Sequence, residues 1–228
     1  MKHVGRARNA AFKIILITLV VTIVILAVGI VASLAGTALI LLWPGIGAIW
    51  LLFAVFTLYF FRDPDPNVPV GANLVLAPGH GKVDVIDTTT EALFMGGECR
   101  RVSIFLSVLD IHVQNAPVGG VVKFFKYTTG EFISALKTEC ANCNENVLLG
   151  FEAGEPAGEK VGVRLIAGVL ARRIVPFVEQ GDVVARGERI SLIQFGSRAD
   201  IYLPLRSTIK VKLGDHVVGG ETILAVFD

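Results

Sequence analysis

The longest uncharged segment of the chain limits what its N-terminal part can fold into. No charged residue occurs from Ile14 to Phe61, which is long enough for two helices at the roughly 20 residues that a bilayer crossing needs. Trp43-Pro44-Gly45 is the strongest break and Gly36-Thr37 is an alternative, since proline and glycine interrupt helices. We therefore predict a helical hairpin over residues 14–61 that spans the membrane or re-enters it. A buried hairpin in a soluble core is the less favoured alternative.

The residues before this segment predict its orientation. Residues 1–13 carry no acidic residue and several basic ones, Lys2, Arg6, Arg8 and Lys13. Basic flanks of membrane helices stay on the cytoplasmic side, and a hairpin returns the chain to the side on which it entered. We therefore expect a basic cytoplasmic tail over residues 1–13, and a domain of residues 62–228 on the cytoplasmic side of the cell membrane.

Beyond Arg62-Asp63-Pro64-Asp65-Pro66, the pattern changes to that of a β-rich domain. Short runs of β-branched and apolar residues are separated by Gly, Pro, Asp and Asn, which is typical of strands joined by turns. Thr88–Met95 is the one further candidate for a short helix, and Leu165–Arg172 fits either a strand or a helical turn. The fold class is therefore mainly β, a β-rich α+β domain. The predicted strands are 73–77, 82–87, 101–108, 121–127, 146–152, 161–167, 189–194, 200–203 and 209–211.

An internal repeat lies in the C-terminal part. Gly181–Ile190 and Gly214–Ile223 align without gaps as G-D-x-V-x-x-G-E-x-I, with glycines where turns need them. Such hairpins resemble those of biotinyl and lipoyl carrier domains, which are flattened β-sandwiches, so we expect barrel-sandwich-like hairpins. Chance agreement of two ordinary turns is the alternative. A membrane-anchored carrier module would need a modified lysine at a hairpin tip, and neither repeat contains a lysine.

Composition argues against two classes of function. The formal net charge of +1 and the charged fraction of 18% provide no broad basic surface for nucleic acid. The three cysteines are too few for a disulfide framework. Cys140 and Cys143 form a lone C-x-x-C without the further ligands of a zinc site, so no metal is expected.

Three short segments contain residues capable of chemistry. Gly196-Ser197 places a hydroxyl beside an unobstructed glycine carbonyl. In a strained turn, Ser197 Oγ could attack that carbonyl, and elimination from the resulting ester would lead to a pyruvoyl group. His112 follows an apolar segment, where an imidazole can serve as a base, and His80 stands in a tight turn. Taken singly, a glycine–serine pair is common, and a hydrogen-bonded structural histidine is the usual interpretation.

The order and spacing of several motifs are more specific than any one of them. Together they resemble phosphatidylserine decarboxylase of the short, archaeal-like type, over nearly the whole chain. The motifs are an apolar N-terminal region, F-F-R-D-P at 60–64, A-P-x-x-G-K-V at 77–83, I-F-L-S-V-L-D-I-H-V at 104–113, A-P-V-x-G at 116–120, F-G-S-R at 195–198 and D-I-Y-L-P at 200–204.

The resemblance implies a proenzyme that cuts itself between Gly196 and Ser197, into a β chain of residues 1–196 and an α chain of residues 197–228. Ser197 would become the pyruvoyl cofactor. Its ketone takes up the amine of phosphatidylserine and withdraws electrons as carbon dioxide leaves, which gives phosphatidylethanolamine. His112 matches the family histidine that acts as base for the serine and as proton donor. The implied partners are phosphatidylserine in the bilayer and the chain's own two fragments, with a homodimer expected beyond them.

One family residue does not match. The family motif is P-A-D-G, whereas this chain has Pro78-Gly79-His80-Gly81. His80 could take the place of the aspartate, Asp84 or Asp110 could supply the carboxylate, or maturation could be slow or lost. The last alternative predicts a catalytically degenerate, lipid-binding homologue. The family Asn-Arg pair after H-V is also changed, to Gln114-Asn115, which weakens any inference about head-group contacts.

Overall fold

The computed structural model describes residues 5–33, 43–131, 143–168, 173–194 and 197–228. They form two compact units, Gly5–Asp63 and Pro64–Asp228. The elements in chain order are α1 Arg6–Ser33, α2 Trp43–Phe60, β1 Leu74–Leu76, β2 Gly81–Glu91, β3 Gly97–Leu106, β4 Val113–Asn115, β5 Gly120–Thr128, β6 Asn146–Ala153, β7 Lys160–Ala167, β8 Arg173–Pro176, β9 Val183–Val184, β10 Arg189–Gln194, β11 Ser197–Leu203, β12 Thr208–Ile209, β13 His216–Val217 and β14 Ile223–Val226.

The first unit consists of the two helices. Both are long and apolar enough to cross a membrane, and Trp50 Nε1 on α2 donates to Thr18 Oγ1 on α1 at 3.3 Å. The predicted break at Trp43-Pro44-Gly45 is the start of α2. Pro44 lies in the first turn, where its missing N–H costs no helical hydrogen bond. The alternative break at Gly36-Thr37 lies outside the described residues.

The second unit is a β-rich domain, which confirms the predicted fold class. Its largest sheet has eight strands in the order β13-β2-β3-β11-β7-β6-β5-β9, and two smaller sheets have the orders β1-β14-β12 and β4-β10-β8. All of these strands pair antiparallel with their neighbours. One apolar core lies between them, with fully buried side chains such as Val83, Ile104, Phe151 and Ile201.

The short helix predicted at Thr88–Met95 is wrong. Strand β2 continues to Glu91, and the chain then turns back into β3. The buried Glu91 carboxylate accepts hydrogen bonds from the backbone N–H groups of Leu93, Phe94 and Met95, at 3.0, 2.8 and 2.9 Å. These bonds satisfy the turn without a helical ladder. The segment Leu165–Arg172, whose sequence fits either a strand or a helical turn, is a strand up to Ala167.

The β domain is built from two copies of one motif. Strands β1 to β3 with β11 to β14 form the first copy, and β4 to β10 form the second. The order of the large sheet reads the same in both directions when β13 is exchanged with β9, β2 with β5, β3 with β6, and β11 with β7. The two small sheets exchange in the same way, since β14 and β10 are their central strands.

Matching hydrogen bonds show that the copies are equivalent. Val83 N donates to Asp215 O at 2.9 Å, and Val122 N donates to Asp182 O at 2.9 Å. The copies also pair with each other reciprocally, because Leu76 N donates to Pro117 O at 2.9 Å and Asn115 N donates to Pro78 O at 2.8 Å. The G-D-x-V-x-x-G-E segments therefore occupy equivalent turns. The repeat also extends to A-P-x-x-G-x-V at 77–83 and 116–122.

A close backbone approach explains the glycine of this second repeat. Gly81 has a φ of 150°, and a Cβ there would lie 2.2 Å from Phe105 O. Gly120 has a φ of 157°, and its Cβ would lie 2.1 Å from Glu152 O. No side chain fits at either corner.

The second copy is inserted into the first, so the chain connects the copies twice. It leaves the first copy at Leu106 and enters the second at Val113. It returns between Gln194 and Ser197; Phe195 and Gly196 lie outside the described residues. His112 lies in the first connection, and Ser197 is the first described residue after the second.

Candidate active site

The first connection between the copies begins beside Ser197 and ends beside β10. Strand β4 pairs with β10 so that Val113 faces Leu192, and β3 pairs with β11 so that Leu106 faces Ser197. Ile193 N donates to His112 O at 3.0 Å. Residues 107–112 therefore link Leu106, which faces Ser197, to a strand that pairs antiparallel with β10. The topology thus brings the neighbourhoods of His112 and Ser197 together from distant positions in the sequence.

Ser197 begins β11 and is fully buried. Its two neighbours in the sheet are Leu106 on β3 and Ala167 on β7. Among the described residues, no hydrogen-bond partner of its Oγ is found. Leaving a buried hydroxyl without a partner costs about 1–3 kcal/mol. A role in chemistry would explain why such a costly group stands here.

His112 is buried, and its backbone and ring are both held. Its carbonyl accepts hydrogen bonds from Ile193 N and from Gln114 Nε2, at 3.0 and 2.7 Å. Its Nδ1 lies 2.8 Å from Asp110 O. A carbonyl oxygen can only accept, so Nδ1 carries the hydrogen of this bond. In the neutral ring, Nε2 is then the basic nitrogen.

His80 is half-buried in the turn between β1 and β2. This turn is placed by Asn115 N, which donates to Pro78 O at 2.8 Å. A Cβ on Gly79 would lie 3.6 Å from Leu106 Cδ2 and 4.0 Å from Ala199 Cβ. The His80 turn therefore packs against the end of β3 and the first residues of β11, at the same end of the sheet as Ser197.

Asp110 lies in the first connection, and its carboxylate binds other groups than the ring of His112. Oδ2 accepts from Ser107 N and Oγ, at 2.8 and 2.7 Å, and Oδ1 lies 2.9 Å from His216 Nε2. Burial raises the pKa of the Asp110 carboxyl, but the hydrogen bonds from Ser107 and His216 outweigh it and hold the pKa below its ordinary value. Asp110 reaches His112 through its backbone carbonyl.

Asp84 forms an ion pair with Arg198, the residue after Ser197. Arg198 Nη1 donates to Asp84 Oδ1 at 2.9 Å, and Nη2 contacts Oδ2. Only 2% of the Arg198 side chain is exposed. Of the two carboxylates proposed from the sequence, Asp84 is thus directed at the neighbour of Ser197. Within the part of the chain that the structure describes, no group of three or more His, Cys, Asp and Glu side chains could hold a metal ion.

A buried polar face on the other side of β11 from Ser197 was not predicted from the sequence. On β11, Ser197 and Ala199 share one face, while Arg198 and Asp200 lie on the other, and all four are buried. Asp200 faces Ser103 on β3, yet its carboxylate oxygens lack hydrogen-bond partners among the described residues. Burial raises the pKa of Asp200. The charges in F-G-S-R and D-I-Y-L-P were visible, but charged residues usually predict exposure.

Comparison with known proteins shows the family to which the chain belongs. The family model described as phosphatidylserine decarboxylase matches residues 53–225. The phosphatidylserine decarboxylase proenzyme of Desulfotalea psychrophila is 43% identical over 176 residues, covering 77% of this chain and 81% of the relative. The proenzyme of Symbiobacterium thermophilum is 40% identical over 197 residues, covering 86% and 90%. That of Cytophaga hutchinsonii is 37% identical over 179 residues, covering 78% and 80%.

These matches define the chain as an enzyme of the decarboxylase class. It belongs to the phosphatidylserine decarboxylase family. The resemblance inferred from the order of the motifs is thereby confirmed.

Proposed function

We propose that this chain is a self-cleaving proenzyme that converts phosphatidylserine to phosphatidylethanolamine with a pyruvoyl group made from Ser197. The observation that carries the proposal is the buried Ser197 Oγ, which has no hydrogen-bond partner among the described residues and lies beside Leu106, where the connection that holds His112 begins. Family membership supports the substrate, since the relatives are phosphatidylserine decarboxylase proenzymes.

Maturation uses only atoms of this chain and water. Ser197 Oγ attacks the Gly196 carbonyl carbon, the Gly196–Ser197 amide bond breaks, and an ester forms with a free amine on Ser197. Loss of the Ser197 α-proton then breaks the Cβ–Oγ bond, which leaves Gly196 as a carboxylate and Ser197 as dehydroalanine. Addition of water releases ammonia and gives the pyruvoyl group. When present, that group supplies an electrophile for the substrate amine and an electron sink for decarboxylation.

The proposed base is His112 through Nε2. Its Nδ1–H is engaged by Asp110 O, which fixes the tautomer with the basic lone pair on the other nitrogen. A buried base held at its backbone can take the proton of Ser197 Oγ and later return a proton to the substrate carbon. His80, half-buried in its turn, is proposed as an assisting group in the place of the family aspartate. The carboxylate of Asp84 binds Arg198, and that of Asp110 binds Ser107 and His216.

The proposed cut leaves two chains that remain one body. Strand β11 of the α chain is paired on both sides, with β3 and β7 of the β chain. Strand β14 is central in its own sheet, next to β1. The α and β chains therefore form a heterodimer without a covalent link. We place the domain at the cytoplasmic face of the cell membrane, with residues 14–61 as the anchor, because the substrate is a lipid and both helices can span a bilayer by length and composition.

The mass of the purified protein tests the proposal. Residues 197–228 are one seventh of the 24.4 kDa chain, so denaturing electrophoresis should show a fragment of about 3–4 kDa beside one of about 21 kDa. The fragment's intact mass should correspond to a pyruvoyl end in place of serine. The same sample should release carbon dioxide from phosphatidylserine labelled in its carboxyl group. An uncut chain that still decarboxylates would refute the mechanism, and an uncut, inactive chain would favour a degenerate lipid-binding homologue.

A further inference from the structure

We propose that Asp84 is a positioning residue for self-cleavage, which acts through Arg198 to fix the backbone at Ser197. The inference rests on the proposed function. It assigns to Asp84 a task other than assisting a histidine. The observation behind it is a bidentate ion pair from a buried arginine to a carboxylate two strands away.

A β-bulge aims Asp84 at Arg198. On β2, Val83 faces Ile104 and Val85 faces Ser103, which are adjacent residues of β3. Asp84 is therefore the extra residue of a bulge, and bulges redirect side chains next to active sites. Strands β2 and β11 both flank β3, so the ion pair spans about 10 Å, or two strand spacings. It joins the bulge to the residue that follows Ser197.

The second copy of the motif provides an internal comparison. Its equivalent bulge is on β5, where Val122 faces Phe151 and Phe124 faces Gly150, so that Lys123 is the extra residue. Lys123 forms an exposed ion pair to Glu152 on the adjacent strand, with Nζ and Oε1 3.5 Å apart and side chains 49% and 44% exposed. The shared architecture thus explains the bulge, but it does not explain the pair between Asp84 and the buried Arg198. Among the described residues, the bulge residue of the copy that contains Ser197 pairs across two strand spacings with β11, whereas that of the second copy pairs with the adjacent strand.

The location of the pair explains what it would do. Attack by Ser197 Oγ requires the Gly196 carbonyl and the Ser197 side chain to keep a fixed relation, and a shift of 1 Å can cost about 100-fold in rate. Ser197 is the first residue of β11 that the structure describes, and it lies at the proposed cut. The Arg198 side chain is the first side-chain anchor after the cut. A planar guanidinium bound through two nitrogens resists rotation better than an ammonium would.

The test replaces the pair and follows fragment formation over time. Asp84→Asn should slow the appearance of the 3–4 kDa fragment about 10-fold or more, and Arg198→Lys should slow it by a smaller factor. Removing the partner of a buried charge such as Arg198 can also unfold a protein. The double variant Asp84→Leu with Arg198→Met therefore replaces both charges by apolar groups, which is often tolerated. It should melt near the wild-type temperature and still be cut slowly.

The controls separate positioning from general damage. Lys123→Met removes the equivalent bulge residue, and Asp87→Asn removes an acid that pairs with Arg101 elsewhere on β2 and β3. Both should be cut at the wild-type rate. If Asp84 acts through Arg198, adding Asp84→Asn to Arg198→Met slows cleavage no further. A folded double variant cut at the wild-type rate, or additive effects, would overturn this inference, whereas an uncut wild type would refute the proposed function itself.

Discussion

Substitution of Ser197 by alanine has two expected effects of opposite kind. It removes the proposed nucleophile, so the chain should remain whole at 24.4 kDa and inactive toward phosphatidylserine. It also removes a fully buried hydroxyl that has no partner among the described residues. Because such a hydroxyl costs about 1–3 kcal/mol, the variant should be more stable than an uncut chain that keeps Ser197, such as His112→Gln.

Ser207→Ala is the matched control for this substitution. Ser207 lies in the same C-terminal segment, is also fully buried, and its Oγ also lacks a partner in the described part of the chain. Its removal should raise the free energy of unfolding by a similar amount. For a domain of this size, 1 kcal/mol shifts the melting temperature by about 2–4 °C, so a rise of about 2–12 °C over wild type is expected. Cleavage should be unaffected.

Time courses by denaturing electrophoresis and thermal melting in detergent measure both effects. A Ser197→Ala chain that still yields the small fragment would show that another residue is the nucleophile. An uncut Ser207→Ala chain would show that cleavage also fails after a change away from Ser197. Loss of cleavage in Ser197→Ala would then not identify Ser197 as the nucleophile. If both variants melt below their references, the two hydroxyls have partners after all.

Three further predictions concern the cut chain, the buried acid and the histidine turn. After cleavage, both fragments should co-elute from a sizing column in detergent and separate only in denaturant, because β11 is paired on both sides; loss of the small fragment in native buffer would contradict this. Asp200→Asn should stabilise the protein increasingly as pH rises. Burial raises the pKa of Asp200 in the folded state, so the wild type loses about 1.36 kcal/mol for each pH unit between the ordinary value of about 3.9 and the raised one. Melting temperatures from pH 4 to 8 check this, and a gain independent of pH would show that ionisation is not the cause. His80→Ala should slow cleavage at least about 10-fold, as expected for loss of an assisting polar group, while His80→Asp should remain cut; a wild-type rate for His80→Ala would exclude His80 from maturation.

The predicted elements came from local patterns, and their errors have local causes. Long strands such as β2 and β6 carry enough β-branched and apolar residues to be predicted. The two-residue strands β9 and β13 do not, because they are defined by long-range pairing: β9 pairs with the first residues of β5, and β13 pairs with the first residues of β2. The helix predicted at Thr88–Met95 failed because Glu91 caps a turn with its carboxylate. The position of Glu91 in the sequence does not distinguish a carboxylate that caps a turn from one on the surface of a helix.

The residues of the candidate site were predicted from the order of the motifs, whereas their arrangement in space is visible only in the folded structure. Ser197, His112 and His80 were identified by resemblance, but the sequence could not say which carboxylate serves which partner. Asp84 is four residues after His80 and was a candidate for the carboxylate of the missing family aspartate. The bulge on β2 instead directs its side chain toward Arg198. Bulges depend on the register of the partner strand, which is a property of long-range pairing.

The internal duplication gives a physical reason for the location of the candidate site. Two equivalent halves bury their apolar faces in one core, and every corner that has a counterpart is constrained to the same geometry, as at Gly81 and Gly120. The connections between the halves have no counterpart, so they are free of that constraint. The first of them, residues 107–112, starts after Leu106, which faces Ser197, and ends before Val113, which faces Leu192. The repeated framework on both sides of the proposed cut is paired, because β11 lies between β3 and β7, so it would still hold both chains after cleavage.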